Sequence, residues 1–256
     1  MNIDFLGCNG GIGSSNGELQ GSTCLQVSER VLIDAGTGLE RLSIAEMLAI
    51  RHVFISHSHM DHIGCLPILL ANIIGHNSDE PVTIYGHADT LAALQQHIFN
   101  YVIWPDFSRA APGQQQPTMR YQVLEPLQPL ELDDLLITPF ATSHTIPCFG
   151  YSLKKRGMHT IFAADTTYTP ALIEQLNQLE PADHLILECS FSDSYQDLAV
   201  ATGHLTPALV AQVLDAMQYP PNHVWLTHLK PTYEDAIREE LMAYPHWSVC
   251  ADLLKY

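Results

Sequence analysis

His57-Ser58-His59-Met60-Asp61-His62, directly after the apolar run Val53-Phe54-Ile55 and Ser56, decides how the rest of the chain is read. Three imidazoles and a carboxylate within six residues exceed what a polar surface turn requires, and together they read as a metal site. A strand ending at Ser56 passes the chain into a tight loop. His57 and His59 can then point one way, while Asp61 and His62, at the mouth of the next helix, point another. One turn can therefore serve two metals. Neutral imidazole nitrogen and carboxylate oxygen form the donor set for Zn²⁺, Mn²⁺ or Fe²⁺, and a site built without thiolates is more often catalytic than structural.

Outward from that loop, β-rich runs at 2–6, 23–28 and 30–34 lead into the turn Asp34-Ala35-Gly36-Thr37-Gly38. A helical pattern follows in Leu39, Leu42, Ile44, Met47 and Leu48. Beyond the loop, helical stretches near 62–75, 88–100, 169–179, 206–218 and 232–243 alternate with strands. The strands are expected near 82–85, 121–125, 136–140, 149–155, 158–164, 184–188, 223–227 and 247–250. Two strand-rich halves, each followed by helices, predict an α/β fold in which two sheets lie face to face with helices outside, as one domain over 1–256. The segment from Ala110 to Pro117 reads as a loop.

Composition narrows the partners. Eleven basic residues against 28 acidic ones give a net charge of −17, which removes the counterion-release term that drives binding to long RNA or DNA. A small anionic substrate remains compatible, because divalent metals reverse the local sign. The six cysteines are scattered singly, with no CxxC pair, and read as reduced, mostly buried thiols. The longest apolar stretch, Leu66 to Ile74, is too short to span a bilayer, and no export signal opens the chain, so the expectation is a cytoplasmic protein with no membrane partner. Gly7-Cys8-Asn9-Gly10-Gly11-Ile12-Gly13 leads into a strand, so it is not a dinucleotide fingerprint. It reads instead as a turn that lets backbone approach the metal cleft.

If 57–62 is half of a dinuclear centre, its other ligands must lie at later strand ends. His144 follows Leu136-Ile137-Thr138-Pro139-Phe140, Asp165 ends Ile161-Phe162-Ala163-Ala164, and His228 ends Val224-Trp225-Leu226-Thr227. With Asp34 as an early structural aspartate, this order of motifs resembles the metallo-β-lactamase superfamily over the whole chain. The resemblance implies an αββα four-layer sandwich of two mixed sheets flanked by helices, with metals in a cleft along one edge. It also implies the ligand sets: His57, His59 and His144 for one ion, Asp61, His62 and His228 for the other, and Asp165 between them.

Gly203-His204-Leu205-Thr206-Pro207 and Leu187-Glu188-Cys189-Ser190-Phe191 place a histidine and a carboxylate beside the expected cleft. This pair looks like that of the tRNase Z-like phosphodiesterases. Residues 57–63, 97–108 and 143–153 look like class II 3′,5′-cyclic-nucleotide phosphodiesterases, whereas Gly64-Cys65-Leu66-Pro67 leans toward the tRNase Z pattern. The resemblance implies hydrolysis of cyclic AMP or GMP to the 5′-nucleotide with two divalent ions, zinc first and manganese or iron as alternatives. Asp61 would accept a proton from water, and His204, kept cationic by Glu188, would assist the leaving oxygen. Trp104 and Phe107 are expected to offer stacking faces for a purine, and Arg109 and Arg120 are scarce cations suited to a phosphate. The alternatives are a ribosyl cyclic phosphate, tRNA 3′ processing, and a thioester or lactone. Homodimer formation is expected by analogy with such domains alone.

Overall fold

The computed structural model describes residues 3–13, 20–76, 80–110 and 112–253. Asn2 of the expected first strand and Ala111 of the expected loop lie outside them. The first sheet contains β1 (Asp4–Gly7), β2 (Cys24–Ser28), β3 (Val31–Ile33), β4 (His52–Phe54), β5 (Val82–Gly86) and β6 (Met119–Val123), side by side in that order. The second contains β7 (Leu130–Leu132), β8 (Leu135–Ala141), β9 (Phe149–Lys155), β10 (Met158–Phe162), β11 (His184–Glu188), β12 (His223–Thr227) and β13 (Trp247–Val249), also in chain order across the sheet. Each sheet starts antiparallel and finishes parallel, the change falling at β3 and at β10. The helices are α1 (Ile44–Ala49), α2 (Met60–Ile63), α3 (Leu66–Ile73), α4 (Ala88–Ala93), α5 (Pro170–Gln178), α6 (Gln196–Ala201), α7 (Pro207–Ala216) and α8 (Glu234–Glu240).

Strand periodicity builds the layers. Leu32, Val53 and Ile84 stand in register on one face of the first sheet and pack with Met47 of α1 and Leu66 and Leu69 of α3. One residue on, Ile33, Phe54 and Tyr85 face the other way and join Ile137, Tyr151, Phe162 and Ile186 of the second sheet. Ile161 and Leu185 of that sheet turn outward onto Leu172 of α5 and Val210 and Val213 of α7. Strands buried on both faces read as continuous apolar runs, as Val53-Phe54-Ile55 does. The result is the four-layer αββα sandwich.

A cross-sheet clamp sits just under the 57–62 loop. Phe54 stacks on Tyr85 at 4.4 Å and meets Tyr151 edge-on at 5.6 Å, while the Tyr151 hydroxyl donates to the Ile55 carbonyl at 2.8 Å. Opening that clamp with Phe54→Ala would cost about 3–5 kcal/mol.

Several elements differ from the sequence expectation. The helix expected over 62–75 is two, interrupted at Gly64-Cys65, with Pro67 in the first turn of α3, where its missing N–H has no helical partner to lose. The helix expected over 88–100 loosens into a π turn at Leu94–Ile98. The strand expected at 121–125 begins two residues earlier, and β7 and α6 were not anticipated. All six cysteines are free and buried. Among the described residues no helix is long and apolar enough to cross a membrane.

Candidate metal centre

Parallel strands bring their carboxyl ends to one edge, and the chain turns sharply there. Asp34 after β3, Ala164 before Asp165, and His228 after β12 have φ of 59°, 49° and 61°, a left-handed conformation that L side chains avoid. Strain of this kind, about 1–3 kcal/mol per residue, persists where the surroundings hold the turn in place. Here it redirects each strand end into the cleft. His59 is the residue ahead of α2, and Asp61 and His62 lie in that helix's short turn.

The donor atoms converge in two groups. His57 Nε2 lies 3.0 Å from His59 Nδ1, which lies 3.2 Å from His144 Nε2; Asp165 Oδ2 is 3.7 Å from the first of these rings and 3.9 Å from the third. In the second group His228 Nε2 is 3.2 Å from His62 Nε2 and 3.1 Å from Asp61 Oδ2. Asp165 Oδ1 completes it at 3.3 Å and 3.4 Å from the two rings. One oxygen of Asp165 thus faces each group. A third combination, Asp165, His204 and His228, also has ligand spacing.

The outer nitrogens test whether a metal fits. His62 Nδ1 lies 2.7 Å from Asp34 Oδ2 and His144 Nδ1 2.8 Å from the Gly203 carbonyl, both pure acceptors. Ser56 Oγ donates to Asp34 at 2.8 Å, so it can only accept from His57 Nδ1 at 3.0 Å. Ser190 Oγ donates to Glu188 at 2.7 Å, and in turn accepts from His228 Nδ1 at 2.9 Å. All four Nδ1 atoms therefore carry hydrogen, and all four Nε2 atoms can present lone pairs inward, the arrangement that orients metal-bound histidines. The donors fit two divalent ions.

The electrostatics agree. Burial, reinforced by neighbouring imidazoles, holds His57 well below the ordinary histidine range, and burial lowers His59 and His144 as well. Asp165 is buried, which opposes its charge, yet His228 and His62 hold it well below the usual carboxylate range. Burial also opposes a cation on His62, but Asp165 and Asp34 prevail and raise it. Without an ion that proton balances two carboxylates, and an ion would displace it.

His204 stands against both groups. Its ring centre is 5.1 Å from that of His144 and 5.5 Å from that of His228, and its Nδ1 is 2.7 Å from Glu188 Oε1 and 3.9 Å from Asp165 Oδ2. Glu188 is fully buried and also accepts from Thr166 N, Ser190 Oγ and Leu205 N. Burial works against a charged His204, but the Glu188 carboxylate outweighs it and raises the imidazole above its ordinary range.

The structure places Trp104 and Phe107, the rings expected to stack a purine, on the helix-covered face of the first sheet. Phe107 is 7% exposed in the core outside the first sheet, beside Phe99, and Trp104 packs on the same cluster. Phe107 is therefore closed off by packing, and Trp104 is half-buried. Arg109 holds Asp106 at 3.0 Å and Arg120 donates to Thr83 at 2.8 Å. The glycine-rich turn does approach the cleft. A side chain at Gly10 would stand 2.7 Å from His228 Nδ1, so only a bare backbone fits.

Sequence reasoning missed three groups that the structure brings to the site. Ser56 and Ser190 back the ligand rings, and their signal was a hydroxyl residue at a strand end within two positions of a charged neighbour. Lys230 was passed over beside two more conspicuous arginines, and its proximity to His228 in sequence was the available cue.

Two facing sheets carrying a convergent histidine and aspartate centre at one edge define a metal-dependent hydrolase. The sequence model for the "Beta-lactamase superfamily domain" matches residues 29–229, and the chain belongs to that family. A probable 3′,5′-cyclic-nucleotide phosphodiesterase of Yersinia pestis is 27% identical over 209 residues, covering 73% of this chain and 59% of that protein. The match thus spans about three fifths of that relative's length. A ribonuclease Z of Prochlorococcus marinus is 23% identical over 318 positions, covering 100% of this chain and 98% of the relative. The crystal structure of the metallo-beta-lactamase fold protein YhfI from Bacillus subtilis superposes with a TM-score of 0.71 at 21% identity, covering 96% and 93% of the two chains.

Proposed function

We propose that this chain is a phosphodiesterase of small cyclic phosphodiesters, acting on 3′,5′-cyclic AMP or GMP and releasing the 5′-nucleotide. The observation that carries this reading is the His204–Glu188 pair, 2.7 Å apart and in contact with both donor groups. An alkoxide is a poor leaving group and needs a proton, and a carboxylate-backed imidazole can give one. Bound zinc, manganese or iron would supply Lewis acidity and a water of lowered pKa.

The side chains then divide the work. With Nδ1 tied to Glu188, His204 has Nε2 left to donate to the departing 3′-oxygen. Asp61, about a quarter exposed and held ionised by His228 and His62 against the effect of burial, accepts a proton from the attacking water. Asp165 is buried, with one oxygen turned to each donor group, so it positions rather than shuttles.

The ribonuclease Z match supports tRNA 3′ processing as a second reading, since it runs the full length of the chain. Two observations favour the smaller substrate. The alignment extends over 318 positions against 256 residues here, so that relative carries segments this chain lacks, and a net charge of −17 repels a long polyanion. The test is side-by-side turnover of cyclic AMP, a 2′,3′-cyclic nucleotide, a ribosyl cyclic phosphate and a precursor tRNA by the metal-loaded protein. The 3′,5′-cyclic nucleotide should be consumed fastest; cleavage of the tRNA alone would overturn the proposal. A thioester releases a thiolate, which needs no acid, so turnover of a thioester would survive loss of His204.

A further inference from the structure

We infer that Lys230 and the aromatic ledge formed by Phe191, Tyr233 and Tyr195 seat the phosphoryl group and the ring of a nucleotide, so the ligand class is a nucleotide rather than a bare sugar phosphate. This rests on the phosphodiesterase reading and deepens it.

The ledge begins at the proposed acid. The Phe191 ring centre is 5.8 Å from that of His204, Tyr233 follows at 5.0 Å from Phe191, and Tyr195 follows at 4.8 Å from Tyr233. Phe191 is 4% exposed whereas Tyr195 is 46% exposed, so the row runs from the reacting centre out to the surface. Phe107 and Trp104 are packed beyond the far sheet, but this row ends on open aromatic surface beside the catalytic edge. Every nucleobase has a flat face, and such surfaces take it by stacking.

The cation lies over the same row. Lys230 Nζ is 5.5 Å from the Phe191 ring centre, and the Lys230 backbone N–H donates to the Ser190 carbonyl at 3.3 Å, fixing the residue next to the ligand-backing serine. The face of an aromatic ring holds an ammonium without neutralising it. Among the described residues Lys230 pairs with no carboxylate, whereas Arg30, Lys154 and Arg238 each hold one. In a chain of charge −17, an unneutralised cation two residues from a metal-ligand candidate is fitted to receive an anion. The strip beside it carries two glycines: Gly10 lies against His228, and Gly11 stands with its would-be Cβ 3.7 Å from Pro231, so neither adds a side chain of its own between Lys230 and the cleft.

The experiment is isothermal titration of the metal-loaded protein with adenosine 5′-monophosphate, ribose 5-phosphate and inorganic phosphate, in wild type, Lys230→Ala, Lys230→Arg and Tyr195→Ala. Wild type should bind the nucleotide about 10-fold or more tighter than ribose 5-phosphate. Tyr195→Ala should remove most of that gap and leave phosphate binding unchanged. Lys230→Ala should weaken all three by about 10-fold, with Lys230→Arg restoring them. Equal affinity of wild type for nucleotide and ribose 5-phosphate, or wild-type affinities in Lys230→Ala, would overturn the inference. Hydrolysis of bis(p-nitrophenyl) phosphate by the same wild-type sample separates the two claims. Its absence sinks the phosphodiesterase reading, while its presence with unchanged titrations sinks the nucleotide seat alone.

Discussion

β11 and β12 carry ionisable residues near both ends, and the two ends differ. At the amino ends His184 and His223 sit in register, their rings stacked 5.2 Å apart, and Trp225 donates its Nε1–H to His184 Nδ1 at 3.2 Å. At the carboxyl ends His228 meets Asp165, His62 and Asp61 while Glu188 holds His204, and the outward nitrogens of His57, His62, His144 and His228 each find an oxygen acceptor. Imidazoles are close together at both ends. Only at the carboxyl edge does an acceptor behind the ring fix the tautomer that turns a lone pair inward, with a carboxylate in front to share an ion. For four of the five candidate ligand histidines, the atom behind the ring sets which nitrogen faces the cleft.

The comparison breaks most visibly at Asp165. Asp165→Ala should lose both ions and all measurable turnover, whereas His184→Ala and His223→Ala should keep the metal content of the wild type. Metal analysis by mass spectrometry decides this, and loss of metal from the His184 variant would erase the distinction between the two ends.

The next largest effect separates ligand from acid. His204→Ala should retain both ions and lower kcat by about 10²–10⁴. Metal loss matching that of Asp165→Ala would instead make His204 a ligand, consistent with the third donor grouping. Removing a backing acceptor should do less. Asp34→Asn should weaken metal affinity at the Asp61, His62 and His228 group by about 10–100-fold, more than at the other group, as measured by titration against a chelator.

The smallest effect probes the turn itself. Ala164 has φ of 49°, so Ala164→Gly should stabilise the loaded protein by about 1 kcal/mol, raising Tm by about 2–4 °C by calorimetry. A lower Tm would mean that the methyl group contributes packing that outweighs the strain.

The sequence made the layered fold legible because burial on both faces writes itself as apolar runs at strand spacing, and β4, β8 to β12, α5 and α7 stand where those runs predicted. β7 is three residues at a sheet edge, and α6 has no capping side chain at Tyr195, so neither carries a local signal of that strength. The seven donor candidates and the His204–Glu188 pair were readable because ionisable residues at strand exits are conspicuous. The substrate seat was not. A tryptophan and a phenylalanine near a helix end look alike whether they line a cleft or fill a core, and only three-dimensional packing placed Phe107 in the core and Tyr195 in the open. The hydroxyls of Ser56 and Ser190 were silent for a similar reason, since direction in a hydrogen-bond network depends on the third partner.

Anomalous diffraction from crystals grown with zinc or manganese tests the central claim most directly. Two peaks are expected, one among His57 Nε2, His59 Nδ1 and His144 Nε2, the other among Asp61, His62 Nε2 and His228 Nε2, with Asp165 between them. A single peak, or ions bound away from Asp165, would contradict a dinuclear centre.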